Sequence, residues 1–223
     1  MKTWVKMARY HLASPANYLV LPWILPFSFA VGAVTAGPGH DASGYLGSLF
    51  IYFAIQGVQI IGRSLPFGLT LGASRRSFYC GTALLGTALA LVSGLVLTAL
   101  QAIERATGGW GLSMHFFRVP YLLNGPWYTT WLTSAVGLFA LWVYGMWYGL
   151  VHLRWGMLGT LTFIAAQALV VAAGAVTVNH WHIWSAAGGS FAGLSALGLT
   201  GIIAALAVLL LAGGHTTIRR TAV

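Results

Sequence analysis

Long uncharged apolar runs dominate this sequence and limit what it can fold into. Six of them have about the 20 residues that a helix needs to cross a bilayer core. They lie at 18–36, 44–62, 77–102, 128–150, 156–178 and 191–212. Only 6% of the residues are charged, whereas about a quarter of the residues of a soluble domain carry a charge. The sequence therefore predicts an all-α, polytopic integral membrane protein with six transmembrane helices in a single domain, residues 1–223.

The segment before the first apolar run has the pattern of an amphipathic helix. Lys2, Lys6 and Arg9 fall at helical spacing on one face, and apolar side chains fall on the other. A basic face suits anionic lipid headgroups, and an apolar face suits the acyl boundary. We therefore expect residues 1–14 to form an interfacial helix. The alternative is a frayed tail whose charges act only on topology.

The basic residues indicate how the chain is oriented in the membrane. If the N-terminus is cytoplasmic, nine of the eleven Lys and Arg residues fall on the inner side, and only Arg105 and Arg118 fall outside. Short cytoplasmic loops are enriched in Lys and Arg, so this split predicts a multi-pass protein of the cell membrane with both termini in the cytoplasm. Because the charges are spread over several loops, they predict contact with the lipid bilayer and no nucleic-acid partner.

The sequence lacks several residues that transport and catalytic mechanisms need. Its only carboxylates, Asp41 and Glu104, fall at the outer ends of predicted spans, whereas a proton-coupled carrier keeps a titratable group inside the membrane. There is no GxxxxGK pattern followed by Ser or Thr, so the chain has no P-loop for ATP. The single cysteine, Cys80, excludes an internal disulfide and a cysteine-based metal cluster. We therefore expect no catalytic centre and no cofactor in this chain.

The densest group of histidines lies at residues 179–182, with the sequence NHWH, before the last predicted span. Paired imidazoles can bind copper or zinc. A complete site needs further ligands, and the nearest, His115 and Asp41, are distant in sequence. The pattern therefore favours a polar and aromatic interfacial loop, and no metal ligands are predicted.

Small residues recur at four-residue spacing in or beside three of the predicted spans. Such faces allow the backbones of neighbouring helices to approach closely. They comprise Gly86, Ala90 and Gly94, then Gly145 and Gly149, and finally Gly189 and Gly193. They serve either packing inside one bundle or contact between subunits, and the sequence leaves both open.

The stretch 63–81 is the one long polar interruption between the apolar runs. It ends with Arg75 and Arg76 at the start of the third predicted span. A helix N-terminus carries a partial positive charge, so two arginines there are unfavourable for the helix itself. We therefore expect contacts from outside the helix, either from lipid phosphates or from a partner protein that docks from the cytoplasm.

The connection between the third and fourth predicted spans, residues 104–127, is the largest on the outer side. It is rich in glycine and aromatic residues, which favours a loop folded back onto the membrane surface over a disordered one. Glu104, Arg105 and Trp110 are the candidates for an outer gate. The alternative is a solvated ion pair of Glu104 with Arg105, Arg118 or a histidine.

The pattern G-x-S-R-R-x-F-x-x-G spans residues 72–81 and is followed one span later by residues 101–111. It resembles the small six-span permease subunits of ABC transporters of the type 2 exporter class, especially those of actinobacteria. The resemblance in topology covers essentially the whole chain. It implies a permease dimer, formed with a second copy or a paralogous permease. It also implies two copies of a separate ATPase subunit, which bind ATP and Mg²⁺.

In that family a cytoplasmic coupling helix between spans two and three sits in a cleft of the ATPase subunit. By resemblance it would cover residues 69–76. The coupling residues so implied are Gly68, Leu69, Leu71, Gly72, Ser74, Arg75 and Arg76. The family often has a re-entrant hairpin between spans five and six, for which residues 179–190 are rather short. The implied function is outward movement of a hydrophobic or amphipathic substrate, such as a drug, antibiotic, peptide or lipid, by a subunit that is not itself an enzyme.

Two alternatives from other classes stay open on the sequence alone. One is a membrane-embedded redox or metal protein, which absorption bands or bound metal would reveal. The other is a non-transporting assembly or immunity subunit, which would lack substrate-stimulated ATPase activity when purified with its partners.

Overall fold

The structure is a computed structural model of the chain, and it describes residues 16–36, 46–70, 72, 74–113, 116–117, 125–181 and 195–219. All regular secondary structure in these residues is helical, which confirms the all-α prediction. The predicted interfacial helix, residues 1–14, lies outside the described residues.

Six α-helices make up the architecture of the described residues. In chain order they are α1 (Leu21–Ala36), α2 (Gly47–Gln59), α3 (Leu65–Thr70), α4 (Arg75–Ala106), α5 (Trp127–His180) and α6 (Ala196–Arg219). A π-helical turn, Ile60–Ser64, joins α2 to α3, so that Gly47–Thr70 is one continuous rod. Pro66 follows this turn. Because proline has no N–H to donate to the preceding turn, the backbone there departs from regular α-helix.

Four helical segments among the described residues are long and apolar enough to cross a membrane. They are Gly47–Thr70, Arg75–Ala106, Trp127–His180 and Ala196–Ile218. A shorter apolar helix, Tyr18–Gly32, overlaps α1. Because a bilayer core needs about 20 helical residues, the chain has helices compatible with an integral membrane protein. The coarse part of the membrane prediction is thus confirmed.

The chain reverses direction within α5, at Gly156. Its backbone has φ 64° and ψ −156°, a region essentially restricted to glycine. On either side, His152 Nδ1 lies 3.2 Å from Thr160 Oγ1, and the rings of Tyr148 and Phe163 lie 5.1 Å apart. Residue numbers therefore rise on one side as they fall on the other. α5 is an antiparallel hairpin of two helical arms, which we call the first arm (127–155) and the second arm (157–180).

The first arm of α5 lies at the centre of the bundle. α5 contacts α2, α4 and α6, and its buried residues all belong to the first arm. Trp142 is fully buried there, with its ring 6.2 Å from that of Phe53 in an edge-to-face arrangement. A Cβ on Gly57 would overlap the carbonyl of Trp142, and one on Gly145 would overlap the carbonyl of Ala54. The backbones of α2 and the first arm are therefore in direct contact.

The small-residue faces that the structure describes pack inside this bundle. The glycines and the residues they face are Gly86 with Trp142, Gly94 with Ala135, Gly145 with Ala54, and Gly149 with Ile61. In each case the missing side chain leaves room for a neighbouring helix, as small-residue spacing predicts. Gly189 and Gly193 lie outside the described residues.

The stretch 63–81 interrupts the helices less than its composition suggests. The rod continues past residue 62 to Thr70, and α4 begins at Arg75 rather than at residue 77. The reason is apolar packing: Leu65 and Phe78 are 1% and 0% exposed, so both helical ends are held against the core. The two helices therefore extend beyond the bounds predicted for the membrane spans, which stay predictions.

Candidate functional site

A tight turn joins α3 to α4 in the segment that the resemblance implies for coupling. The N–H of Gly72 donates to the carbonyl of Leu69 at 3.0 Å, and Gly72 has a φ of 80°, in the left-handed region that favours glycine. Ser74 has extended backbone, and its Oγ accepts a hydrogen bond from the N–H of Ser77 at 3.1 Å. Residues 69–76 are therefore the end of α3, a turn and the start of α4. Gly72 and Ser74 interrupt the helical backbone, so these residues do not form one continuous helix, and the coupling role that the resemblance implies for them stays a prediction.

The cap at Ser74 changes the energetic argument about the two arginines. A serine cap stabilises a helix by about 1 kcal/mol, and an unfavourable charge in the first turn costs about 0.3–1 kcal/mol. Arg75 and Arg76 therefore destabilise α4 by about as much as Ser74 stabilises it. α4 therefore does not require a contact from another molecule to offset the two arginines. The side chain of Arg76 is nevertheless exposed and accessible to such a contact.

The predicted coupling residues fall into two groups by burial. Those exposed at the tip of the turn are Gly72, Ser74 and Arg76. Gly68 is buried, and a Cβ there would lie 3.0 Å from the ring of Phe78. Leu69 packs partly buried against the core. Leu71 lies outside the described residues, and Arg75 is half-buried. Gly68 and Leu69 thus fix the turn to the bundle, and the exposed tip is the surface available to a partner.

A groove of about 540 Å³ runs along α4 from Arg76. Its further lining residues are Ser77, Cys80, Ala83, Leu84, Thr87, Phe139 and Leu211. A single positive charge is thus followed by a mostly apolar surface. This arrangement suits a lipid with an anionic headgroup, so the lipid alternative for Arg76 also has a surface on which to act.

Glu104 lies at the end of α4 and organises the loop that follows. Its side chain is 2% exposed. Its Oε2 accepts hydrogen bonds from the backbone N–H groups of Phe116 at 3.0 Å and Phe117 at 2.8 Å, and from the indole N–H of Trp110 at 3.3 Å. Bonds to a charged acceptor are the stronger kind, and these fold the loop back over the helix end. The Glu104 carboxylate is buried rather than exposed to solvent, and the side chain of Arg105 beside it is exposed.

The same loop depends on left-handed backbone after the end of α4. Trp110 has a φ of 61°, which is uncommon for a residue with a side chain. The hydroxyl of Thr107 accepts the Trp110 N–H at 3.0 Å. The ring of Phe117 lies 6.2 Å from the ring of Trp110 and 6.2 Å from that of Phe27. The described part of the loop is therefore tied both to α4 and to α1.

A polar cluster that the sequence reasoning missed lies between the two arms of α5. The hydroxyls of Tyr144 and Tyr148 donate to Oε1 of Gln167 at 2.7 and 2.5 Å, and they lie 3.2 Å from each other. Gln167 is the only amide side chain in the run 156–178, and polar groups inside membrane spans often mark functional sites. That signal could have drawn attention to Gln167, but its two tyrosine partners follow only from the hairpin.

The histidine group at 179–182 is described only in part. His180 is exposed at the end of α5. His182, His115 and Asp41 lie outside the described residues. Within the part of the chain that is described, no three His, Cys, Asp or Glu side chains are grouped so as to hold a metal ion.

No family model, no curated protein and no solved structure matches this chain. The fold and the composition define only a broad class: an all-helical protein whose described residues include helices long and apolar enough to cross a membrane.

Proposed function

We propose that this chain is the permease subunit of an ATP-driven exporter of the ABC type 2 class. It works as a dimer, with a second copy or a paralogous permease. Two copies of a separate ATPase subunit bind ATP and Mg²⁺, and the chain itself has no catalytic site. Its substrate is a hydrophobic or amphipathic molecule, which moves outward.

The observation that carries this proposal is the fixed turn between α3 and α4. Its tip is exposed at Gly72, Ser74 and Arg76, while Leu65 and Phe78 on either side are buried in the core. Because both helices are held in the core beside the turn, a force applied to the tip would act on both of them. A soluble motor subunit needs such a turn in order to move membrane helices.

The proposed arrangement has six spans: α1, the rod Gly47–Thr70, α4, the two arms of α5, and α6. The split of nine against two basic residues supports cytoplasmic termini and a cell-membrane location. It also supports a cytoplasmic position for the α3–α4 turn. The loop bound by Glu104 then lies outside, where Glu104, Arg105 and Trp110 act as an outer gate that opens when the loop is released.

The proposal is tested by purifying the tagged full chain from its own host in lipid nanodiscs. We expect an ATPase with a P-loop to co-purify, and we expect transport in vesicles to need ATP and to resist an uncoupler. Transport that stops with an uncoupler, yet persists when the catalytic glutamate of the ATPase is replaced, would contradict the proposal.

The same preparation separates the competing classes. Absorption bands or bound metal would favour a membrane-embedded redox or metal protein. A complex whose ATPase activity responds to no hydrophobic compound would favour a non-transporting assembly or immunity subunit.

A further inference from the structure

A groove of about 820 Å³ opens between the two arms of α5. Tyr144 forms its wall on the first arm, and residues between Phe163 and Ala175 form its wall on the second. Residues 168–177 of the second arm are exposed at every position, so no described helix covers this part of the groove. Its volume lies in the range of about 300–1,000 Å³ that is typical of small-molecule sites.

The polar cluster of Tyr144, Tyr148 and Gln167 provides this groove with a specific chemistry. Both tyrosine hydroxyls donate to Oε1 of Gln167, which uses the two lone pairs of the amide oxygen. The amide nitrogen of Gln167 carries two further N–H donors. In the described residues these donors bind no protein acceptor, and Gln167 itself lines the groove. The groove therefore offers hydrogen-bond donors in an otherwise apolar wall.

The position of Gln167 along the second arm limits which molecule can reach these donors. Gln167 lies eleven residues beyond Gly156 (167 minus 156), or about 16 Å along a helix that rises 1.5 Å per residue. In an arm that crosses the membrane, this is about half of a hydrocarbon core of roughly 30 Å. The ester oxygens of phospholipids lie at the two boundaries of that core. The donors thus face a depth at which bulk lipid offers no acceptor.

We propose that this groove binds a neutral, hydrophobic small molecule whose apolar body carries an acceptor oxygen of the carbonyl type, which accepts the Gln167 amide N–H. None of the residues that line the groove is charged, so a charged ligand would be left without a counter-charge in an apolar site. This inference rests on the proposed function in one respect, that the bound molecule represents the class of exported substrate. The binding itself does not depend on export.

The full chain in nanodiscs can be tested with benzophenone, a neutral aromatic ketone that forms covalent adducts on illumination. We expect peptide mapping to find adducts in the groove, between residues 163 and 175. Met157 provides the internal reference, because it is 72% exposed and lies outside the groove. The ratio of groove adducts to Met157 adducts reports specific binding independently of how much probe enters the lipid.

Two matched competitors test the role of the carbonyl oxygen. Fluorenone has the ketone, and fluorene has the same ring system without it. We expect fluorenone to compete about fivefold better than fluorene, since a neutral hydrogen bond changes binding by roughly this factor. In Gln167→Leu the groove-to-Met157 ratio should fall by about the same factor, and the difference between the competitors should vanish. Thr162→Val, on the same arm but outside the groove, should leave both unchanged.

The outcomes separate this site from the exporter proposal. Equal competition by fluorene and fluorenone, or unchanged labelling in Gln167→Leu, overturns the site whatever the chain transports. If Gln167→Leu does not fold, Gln167→Met gives the same comparison. Rapid disulfide formation between two copies through Gln167→Cys, together with absence of groove adducts, would assign the groove to a second copy and overturn ligand binding. Specific labelling without any co-purifying ATPase would support the site and contradict the exporter.

Discussion

Glu104 accepts a hydrogen bond from the backbone N–H of Phe117 at 2.8 Å, thirteen residues further along the chain. With the bond from Phe116, it joins the last turn of α4 to a bend at residues 116 and 117. Inside an apolar environment a backbone N–H must find its acceptor within the protein. This carboxylate is therefore a structural support for the loop, whatever part the loop has in function.

Replacing Glu104 with alanine should release the loop. Three N–H donors lose their acceptor, and a hydrogen bond to a charged group contributes about 1.5–3 kcal/mol. We expect the free energy of unfolding to fall by at least about 3 kcal/mol and limited proteolysis within residues 107–117 to become faster. Glu104→Gln keeps one acceptor oxygen and should lose less. Ala106→Ser, at an exposed position of the same helix end, provides the control. Proteolysis of Glu104→Ala at the parent's rate would show that other contacts hold the loop.

Gly145 tests the direct contact between α2 and the first arm. A Cβ on Gly145 would overlap the backbone carbonyl of Ala54, and a backbone atom cannot rotate away as a side chain can. Gly145→Ala should therefore separate the two helices and destabilise the fold by about 1–3 kcal/mol, seen as a lower melting temperature in nanodiscs. Gly174→Ala is the matched control, because nothing lies within 4 Å of its Cβ position and alanine favours a helix. Equal melting temperatures for the two variants would contradict the packing described here.

Gly156 should be required for the α5 hairpin. Its backbone conformation is strained for any residue with a Cβ, at about 1–3 kcal/mol, so Gly156→Ala should favour opening of the two arms. The measurement is disulfide cross-linking between His152→Cys and Thr160→Cys in a Cys80→Ser background, since those side chains lie 3.2 Å apart. We expect cross-linking with Gly156 and slower cross-linking with alanine. Cross-linking at the same rate in both would mean that packing of the arms alone sets the turn.

The sequence predicted features that depend on neighbouring residues, but it did not predict contacts between residues far apart in the chain. The apolar runs predicted helices because length and lack of charge are properties of each run by itself. Spacing likewise predicted the close contacts of Gly86 and Gly145, because a face of one helix is a local property. The sequence does not reveal which residues a carboxylate binds. The partners of Glu104 depend on left-handed backbone at Trp110, which a tryptophan rarely adopts.

The cluster of Tyr144, Tyr148 and Gln167 illustrates the same limit for tertiary contacts. Tyr144 and Gln167 are 23 residues apart in sequence, and they meet only because the chain reverses at Gly156. The sequence has 29 glycines, and composition does not show which of them reverses the chain. The same holds for Gly72, whose left-handed backbone interrupts the segment 69–76 that the resemblance implied as a coupling helix.

Membrane orientation follows from the distribution of charge and can be measured directly. In a Cys80→Ser background, Thr70→Cys probes the exposed α3–α4 turn without altering either arginine, and His180→Cys probes the opposite end of the second arm. We expect an impermeant thiol reagent applied to intact cells to label position 180 and to label position 70 only after permeabilisation. Labelling of position 70 in intact cells would reverse the proposed topology.

Arg75 and Arg76 allow the lipid and protein alternatives to be separated. The two arginines could act only through their positive charge, either by setting the topology or by binding lipid phosphate at the groove beside Arg76. In that case lysine variants should behave like the parent, because lysine provides the same charge. If they bind carboxylates or carbonyls of an ATPase subunit through forked contacts, lysine cannot reproduce the geometry. About 1–3 kcal/mol for each such contact would then be lost.

We expect Arg75→Lys combined with Arg76→Lys to insert and dimerise like the parent, but to retain less of the co-purifying ATPase and less coupled ATPase activity. Arg76 should account for most of this loss, because its side chain is exposed while that of Arg75 is half-buried. Gly72→Ala strains the turn, since Gly72 has a φ of 80°, but leaves both charges in place. It should therefore lower coupling without lowering lipid binding, and the bulkier, charged change Gly72→Glu should lower coupling more severely. If the double lysine variant couples and co-purifies like the parent while Gly72→Ala does not, the shape of the turn is what the partner contacts, and the docking role of the two arginines is wrong.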